Sequence, residues 1–373
     1  MTMALSRRSL LGAASAGSAL AFAGAPALGE TRASLPQFGP APGLAWLTFN
    51  ENPYGLSPKA LEAMARTSSA GCYYADDAAE RLHSMIAERF GFPGEQVVIG
   101  NGSTELLTAA AAALGRRGAI VCPELLYDQP VEYARAQGAQ VIRVPLRPDM
   151  GVDLEAIAAA AAASKAALIY LCNPNNPTAM LMDGASLRAF IERVPQGTTV
   201  LVDEAYNELT DRPEESSVVD LVKAGRNVIV CRTFSKIYGL AGLRIGYALA
   251  GRDHARMIRD NLMTLLLSSA SLAAAIASLE DPAFAALSRN RIFEGRQIIL
   301  DATKRLGLET LPSQANFVFV RVPDADAVAK RMAERKIIIR SAYGKWTQWS
   351  RVSTGKIDDV RRYAAALPAV LKG

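Results

Sequence analysis

Lys236 lies in the stretch RTFSKIYGLAGLRIGY, with hydroxyl residues just before it and mostly apolar and small residues after it until Arg244. An ammonium among apolar neighbours has a lowered pKa, and the free amine is then a nucleophile. Thr233 and Ser235 place hydroxyls beside it, and the Arg244 guanidinium is a fork suited to a phosphate. Further polar clusters follow apolar runs. In GNGSTELL, Gly102, Ser103 and Thr104 open a helix whose free N–H groups and positive end make an anion cradle. The stretch is neither a P-loop nor a full GxGxxG, so a plain Gly turn with a hydroxyl cap reads equally well. In NPNNPTA, Asn173–Ala179, prolines among asparagines fix side-chain directions more firmly than a connecting loop requires. In VLVDEAYNEL, Asp203 follows apolar strand residues, where a carboxylate is costly unless it meets a positive group such as a protonated heterocyclic nitrogen. Tyr206 can reach the same ligand. Each cluster alone also reads as a solvated lysine, an exposed aspartate or an ordinary loop; four at successive strand ends do not.

The elements that must carry these clusters alternate. EQVVIG, GAIVCP, AQVIRVPL, KAALIYLCNP, TTVLVDEAY and RNVIVCRTFS read as strands, with helical patterns such as STELLTAAAAALG, DLEAIAAAAAAS and GASLRAFIERVP between them. Strands apolar throughout and alternating with helices predict an α/β fold with a mostly parallel central sheet covered by helices on both faces. In such a sheet ligands sit at the carboxyl ends of strands and at helix N-termini. SPKALEAMART predicts a helix with Ser57 as N-cap and Pro58 at its first position. From about Asp253 the chain turns helix-rich, and the runs LPSQANFVFVRV, RKIIIRS and WSRVSTG with a last helix predict a smaller α+β domain. The expected division is an export signal over 1–30, a Pro/Gly-rich irregular arm over 31–56, a large domain over 57–275 and a small C-terminal domain over 276–373.

Composition excludes several classes. The 373 residues are 50% apolar and 21% charged, enough for a large core. A net charge of +5 with no concentrated basic face argues against nucleic acid as a partner. His83 and His254, the only two histidines, stand in no metal-ligand spacing and beside no nucleophile. No metal and no Ser-His-Asp triad is expected, and each histidine reads as a helix-surface residue. Cys122, Cys172 and Cys231 end apolar runs, Cys72 stands apart, and no CxxC occurs, so buried free thiols are expected. At the N-terminus SRRSLL, with Arg7 and Arg8, then a short Gly/Ala-rich apolar run and a cleavage region near Ala25–Ala27, resembles a twin-arginine export signal. The run is too short for a stable membrane anchor, and a periplasmic location is expected, with the cytoplasm as the alternative.

Taken together, NPNNPT, VDEAY, RTFSKIYGLAGLRIGY and ANFVFV, in this order and spacing, resemble the pyridoxal-phosphate-dependent aminotransferases of fold type I, in particular the histidinol-phosphate aminotransferase-like branch. NENPYGLSP and GNGSTELL match that branch too, and the resemblance runs from about Thr48 to the end. It implies pyridoxal 5'-phosphate as cofactor, with Lys236 as the lysine that forms the Schiff base. It places Arg244, Thr233, Ser235, Gly102, Ser103 and Thr104 around the phosphate, and Asp203 at the pyridine nitrogen, keeping it protonated. It gives Asn176 and Tyr206 to the phenolic oxygen and Tyr127 to the face of the ring. Tyr74, or Tyr73 beside it, would reach the phosphate of a neighbouring subunit, which implies a homodimer with shared sites. Arg351 would grip the substrate carboxylate, Arg340 would meet the distal end of the substrate, and Asn316 would stand on the carboxylate side.

The chain departs from the family at Ala179, where a Gly is usual, and an export signal does not suit a cytoplasmic histidine pathway. The expected activity is amino transfer between a donor and a 2-oxo acid such as 2-oxoglutarate. The donor is a histidinol phosphate-like compound or an aromatic or bulky amino acid. Trp346 and Trp349, together with the export signal, tilt the expectation towards the latter, although the two tryptophans pack the small domain as readily as they line an aromatic pocket. Another reaction on the same cofactor (cyclisation, elimination or decarboxylation) is the alternative, and a non-catalytic binding module is a remote one.

Overall fold

The apolar runs expected as strands assemble into one sheet. In the computed structural model, which describes residues 38–264 and 266–372, the strands are β1 Ala45–Leu47, β2 Val97–Gly100, β3 Ile120–Pro123, β4 Val141–Val144, β5 Leu168–Cys172, β6 Thr199–Asp203, β7 Val228–Thr233, β8 Gly246–Ala250, β9 Phe317–Arg321, β10 Ile337–Ile339 and β11 Trp349–Ser353. The expected export signal lies outside the described residues. Seven strands form the main sheet in the order β2-β8-β7-β6-β5-β3-β4, and β8 alone runs antiparallel to its neighbours. β8 was not expected as a separate strand, because GYALA runs on from the Arg244 segment and reads as part of it.

Period-two alternation divides the core between two faces. Along β5, Ile169 and Leu171 face one apolar cluster while Leu168 and Tyr170 face the other. The alanine-rich helix Ser103–Gly115 covers the second face; its Ala110 and Ala111 have no exposed surface, which lets the helix lie close to the sheet. Before the sheet, the helix Pro58–Thr67 starts as its sequence dictates, with Ser57 Oγ accepting from Ala60 N–H at 3.1 Å. The helix Asp76–Phe90 was not anticipated and ends on Gly91 in the left-handed region.

From Pro42 on, the chain is one compact unit. Within it, a smaller lobe is built on two further pairs, β9 with β11 antiparallel and β1 with β10 parallel. The helices Ala325–Ala333 and Ile357–Leu371 pack on these, and the long helix Pro282–Arg305 joins the same apolar cluster. β1 lies inside the arm expected to be irregular: three residues, AWL, are too few to show a period, and their partner comes from the far end of the chain.

The histidines are on helices but not simply at the surface. His83 Nε2 meets Val97 O and His254 Nε2 meets Thr199 Oγ1, each at 3.1 Å. Cys122, Cys172 and Cys231 are buried free thiols, whereas Cys72 is exposed. Among the described residues no single helix is long and apolar enough to cross a membrane.

Candidate active site

The strand ends of the main sheet open onto a cavity of about 910 Å3, a size typical of small-molecule sites. Asp203, the last residue of β6, lines it and is 3% exposed. Its Oδ1 accepts from Ala205 N–H at 3.1 Å, and the Cys172 thiol lies 3.8 Å from Oδ2. Burial pushes the carboxyl up to about 7, against the downward pull of the Ala205 N–H and the Lys236 charge. A carboxylate so placed gains from a cationic partner entering the cavity.

Lys236 follows β7 and projects into the same space. Its Nζ donates to Asn50 O at 3.1 Å and stands 5.4 Å from the centre of the Tyr206 ring. Burial, then the Arg351 charge, pull the amine down to about 8, so a substantial fraction is neutral near physiological pH. Tyr206 is held edge-on against Phe317, and its hydroxyl accepts from Asn50 Nδ2 at 3.1 Å.

The opposite end of the cavity suits an anion. Ser103, Thr104, Ser235 and Arg244 line it, and Gly102 caps the Ser103–Gly115 helix without a side-chain bond, leaving N–H groups free. Gly102 has φ +86°, and a Cβ there would collide with the Arg244 guanidinium, so only glycine lets the arginine lie over the turn. Thr233 Oγ1 donates to Ser235 Oγ at 2.8 Å, which fixes the hydroxyl pair before Lys236. Tyr127 shares a 3.0 Å bond with Thr104 Oγ1 and donates to Gln129 Oε1 at 2.6 Å.

On the small-lobe side, Arg351 Nη1 donates to Asn176 Oδ1 at 2.6 Å and Nη2 to Thr48 O at 2.5 Å. Its Nε is buried with no partner, in a side chain only 6% exposed, so one donor of the fork is left unsatisfied beneath the cavity wall. Arg340 pairs with Arg351 through an antiparallel bridge and lines the same cavity. Asn176 arrives on the Asn-Pro loop. There Ala179 takes φ +61° with no exposed surface, so alanine holds the left-handed conformation that glycine would adopt more freely, at a cost of about 1 kcal/mol.

Other expected residues fall elsewhere. Asn316 does not line the cavity; it is fully buried behind Asn50 and donates to Asn50 O at 2.8 Å, supporting the carbonyl that Lys236 uses. Tyr73 and Tyr74 are 75% and 80% exposed and touch no part of the cavity of their own chain. Of the two tryptophans only Trp346 lines the cavity, while Trp349 stacks on Phe319 at 5.1 Å inside the small lobe. Asn50 was missed. It accepts from Ser353 Oγ at 2.6 Å and binds Tyr206, Lys236 and Asn316 as well, although in the sequence it is one asparagine in FNENPYG and its positive φ of 56° is invisible.

An anion cradle at one end, a carboxylate that gains from a basic ring nitrogen at the other and an amine that burial makes easier to deprotonate in between fit pyridoxal phosphate. Residues 42–367 match the family described as aminotransferase class I and II. Histidinol-phosphate aminotransferase 1 of Dechloromonas aromatica is 36% identical over 329 residues, covering 87% of this chain and 89% of that protein. Histidinol-phosphate aminotransferase 1 of Cupriavidus pinatubonensis is 37% identical over 337 residues, covering 88% and 89%. The crystal structure of the Sinorhizobium meliloti histidinol-phosphate aminotransferase in complex with pyridoxal-5'-phosphate superposes with a TM-score of 0.81 at 31% identity, covering 88% of this chain and 90% of that one. The chain therefore belongs to the class I and II aminotransferases, as a fold type I transaminase that works with pyridoxal phosphate.

Proposed function

We propose that this transaminase takes an amine with a doubly charged anionic group, of the histidinol phosphate type, as donor and a dicarboxylic 2-oxo acid such as 2-oxoglutarate as acceptor. The observation that carries this is the presence of Arg340 and Arg351 side by side in one cavity. A single carboxylate occupies one guanidinium fork; a phosphate monoester, or the two carboxylates of an acceptor, occupies two. The relatives' names point the same way. The burial of Trp349 takes away half of the case for an aromatic amino acid, leaving Trp346.

In this reading Ser103, Thr104, Thr233, Ser235 and Arg244 hold the cofactor phosphate, Asp203 faces its ring nitrogen, Asn176 and Tyr206 its ring oxygen and Tyr127 its face. When bound, pyridoxal phosphate supplies an aldehyde for the amine and a ring that takes up the electron pair left at the α-carbon. Lys236 would hold the cofactor through its Nζ and, with that amine free, would take the α-proton of the donor. Burial supports this, because it keeps much of that amine unprotonated. Arg351, which lines the cavity beside Arg340, would hold the donor anion and set the α-carbon before Lys236.

The test is a single-turnover assay that follows conversion of the bound cofactor to its amine form with each candidate donor. Conversion by histidinol phosphate is expected. Conversion by aromatic amino acids with histidinol phosphate inert would overturn the donor assignment.

We further infer a homodimer in which Tyr74, or Tyr73, of one subunit enters the site of the other; their exposure on the single chain supports this. A monomer in sedimentation at micromolar concentration would refute it. SRRSLL supports export to the periplasm by the twin-arginine route. Changing Arg7 and Arg8 to Lys should leave the protein in the cytoplasm; continued export would show the signal to be of another kind.

A further inference from the structure

Two charged side chains at the edge of the donor cavity hold neither the cofactor nor the donor anion. Glu124 follows β3 directly, and its N–H is bonded to Val144 O at 2.8 Å, so its backbone is fixed in the large lobe. Its carboxylate lines the cavity and is 19% exposed. Oε1 accepts from Leu146 N–H at 3.3 Å, and Oε2 accepts from Lys345 Nζ at 2.6 Å. Lys345 belongs to the small lobe. It sits in the turn Tyr343–Trp346, closed by a 3.0 Å bond from Trp346 N–H to Tyr343 O, with Gly344 at φ +54°. Tyr343, Gly344 and Trp346 line the cavity, and Lys345, its side chain 66% exposed, reaches the rim only through its bond to Glu124. Beneath the pair, Leu125 and Leu146 of the large lobe share one apolar cluster with Phe319, Trp349, Tyr343 and Trp346 of the small lobe. The lobes thus meet through an apolar seam, and the ion pair crosses it at the rim of the donor site. The nearby cation Arg143 is already engaged by Glu132 at 2.7 Å.

We propose that Glu124 and Lys345 form the selecting wall of the donor site and that their mutual neutralisation sets which donor side chains enter. The assignment rests on Arg340 and Arg351 gripping the donor anion, which turns the rest of the donor towards this wall. Paired, the two charges present a neutral surface beside Trp346, suited to an uncharged ring. A charged side chain would lose water there and gain no partner. Without Lys345, the carboxylate keeps only the Leu146 N–H and favours a donor ending in a cation. Without Glu124, the ammonium favours a donor ending in an anion.

Equilibrium binding measures this free of the chemistry. The probes are phenylpropanoate, guanidinopentanoate and succinate, which are amine-less counterparts of donors with a neutral, a cationic and an anionic side chain. They are titrated by calorimetry into the holoenzyme, into Lys345→Met, into Glu124→Gln, and into the double reversal Glu124→Lys with Lys345→Glu. Lys345→Met should improve guanidinopentanoate relative to phenylpropanoate by about ten-fold, and Glu124→Gln should improve succinate relative to phenylpropanoate by a similar factor. The double reversal should return both ratios close to those of the wild type. Unchanged ratios, or ratios that move the same way in both single variants, would show that the pair only braces the turn. Arg351→Lys is measured alongside: it should weaken all three probes together and leave the ratios alone. Undiminished binding in Arg351→Lys would refute the anion grip, whereas the ratios decide the wall.

Discussion

Lys236 Nζ and Asn50 O are 3.1 Å apart, so the amine of the main lobe is held by a backbone carbonyl of the N-terminal arm. Asn316 Nδ2 braces that carbonyl from behind at 2.8 Å. The contact leaves the amine free to lose its proton, because a carbonyl asks only for an N–H.

The first prediction concerns that proton. The Lys236 amine titrates at about 8 in the folded protein, below the ordinary lysine value of 10.5. Between these values the unfolded chain binds the extra proton, so this contribution to stability grows as pH rises through the window and is lost as pH falls through about 8. The rate at which apoprotein captures pyridoxal phosphate should rise with a midpoint near pH 8. Arg351→Met should move the midpoint upward by removing a neighbouring charge. Lys236→Ala should lower turnover by about a thousandfold or more and abolish borohydride trapping.

The second concerns Asp203, whose carboxyl sits at about 7, above the ordinary 3.8. Here the folded value is the raised one. The contribution is present in full below about pH 3.8 and is lost as pH rises through about 7. Asp203→Asn should therefore stabilise the apoprotein at pH 8, on the order of 2 kcal/mol, and weaken cofactor binding. Thermal melts at pH 5 and pH 8 measure it; equal melting of variant and wild type at pH 8 would contradict it.

The third separates the two tryptophans. Trp349 is 8% exposed and stacked on Phe319, so Trp349→Ala should cost about 3–5 kcal/mol of stability. Trp346→Ala should cost about 1 kcal/mol or less and change donor KM instead. Denaturant unfolding and steady-state kinetics read the two effects separately.

The fourth concerns the back of the site. Alternation along β6 sends Asp203 into the cavity and Glu204 to the other side. There Glu204, with no exposed surface, accepts from Arg232 Nη2 at 2.8 Å and Nε at 3.0 Å, and from Val218 N–H at 2.8 Å. The pair ties the strand end carrying Asp203 to the one carrying Thr233. Arg232→Met should destabilise by about 3–5 kcal/mol, because it strands a buried carboxylate. Adding Glu204→Met should recover part of that loss in chemical denaturation, since Arg232 also meets Glu208 Oε1 at 3.5 Å and that carboxylate stays unpaired. A double variant as unstable as the single one would show that the strand ends need the charges themselves.

Much of this was legible because the chemistry sits at strand ends, and strand ends show in sequence as apolar runs stopping on polar residues. Asp203 after VLV, Asn176 in the Asn-Pro loop and Lys236 after the hydroxyl pair lie where that rule puts them. β8 was missed because GYALA runs on from the segment read for its lysine and arginine, and β1 because a triplet carries no period. Asn50 escaped because its role comes from a backbone carbonyl and a left-handed φ, neither of which its residue type announces. Trp346 and Trp349 look alike as letters, and only the register of β11 against β9 turns Trp349 inward.

Asn50 and Ser353 are joined by two hydrogen bonds across a sequence separation of 303 residues. The ribosome makes the arm first and β11 nearly last, so Asn316 can brace the carbonyl that meets Lys236 before the Ser353 bonds to Asn50 exist. A nascent chain paused before Ser353 would carry the candidate cofactor residues of the main sheet and still lack the two bonds that pin Asn50 to β11. A fully held amine for the cofactor thereby waits on the C-terminal strand.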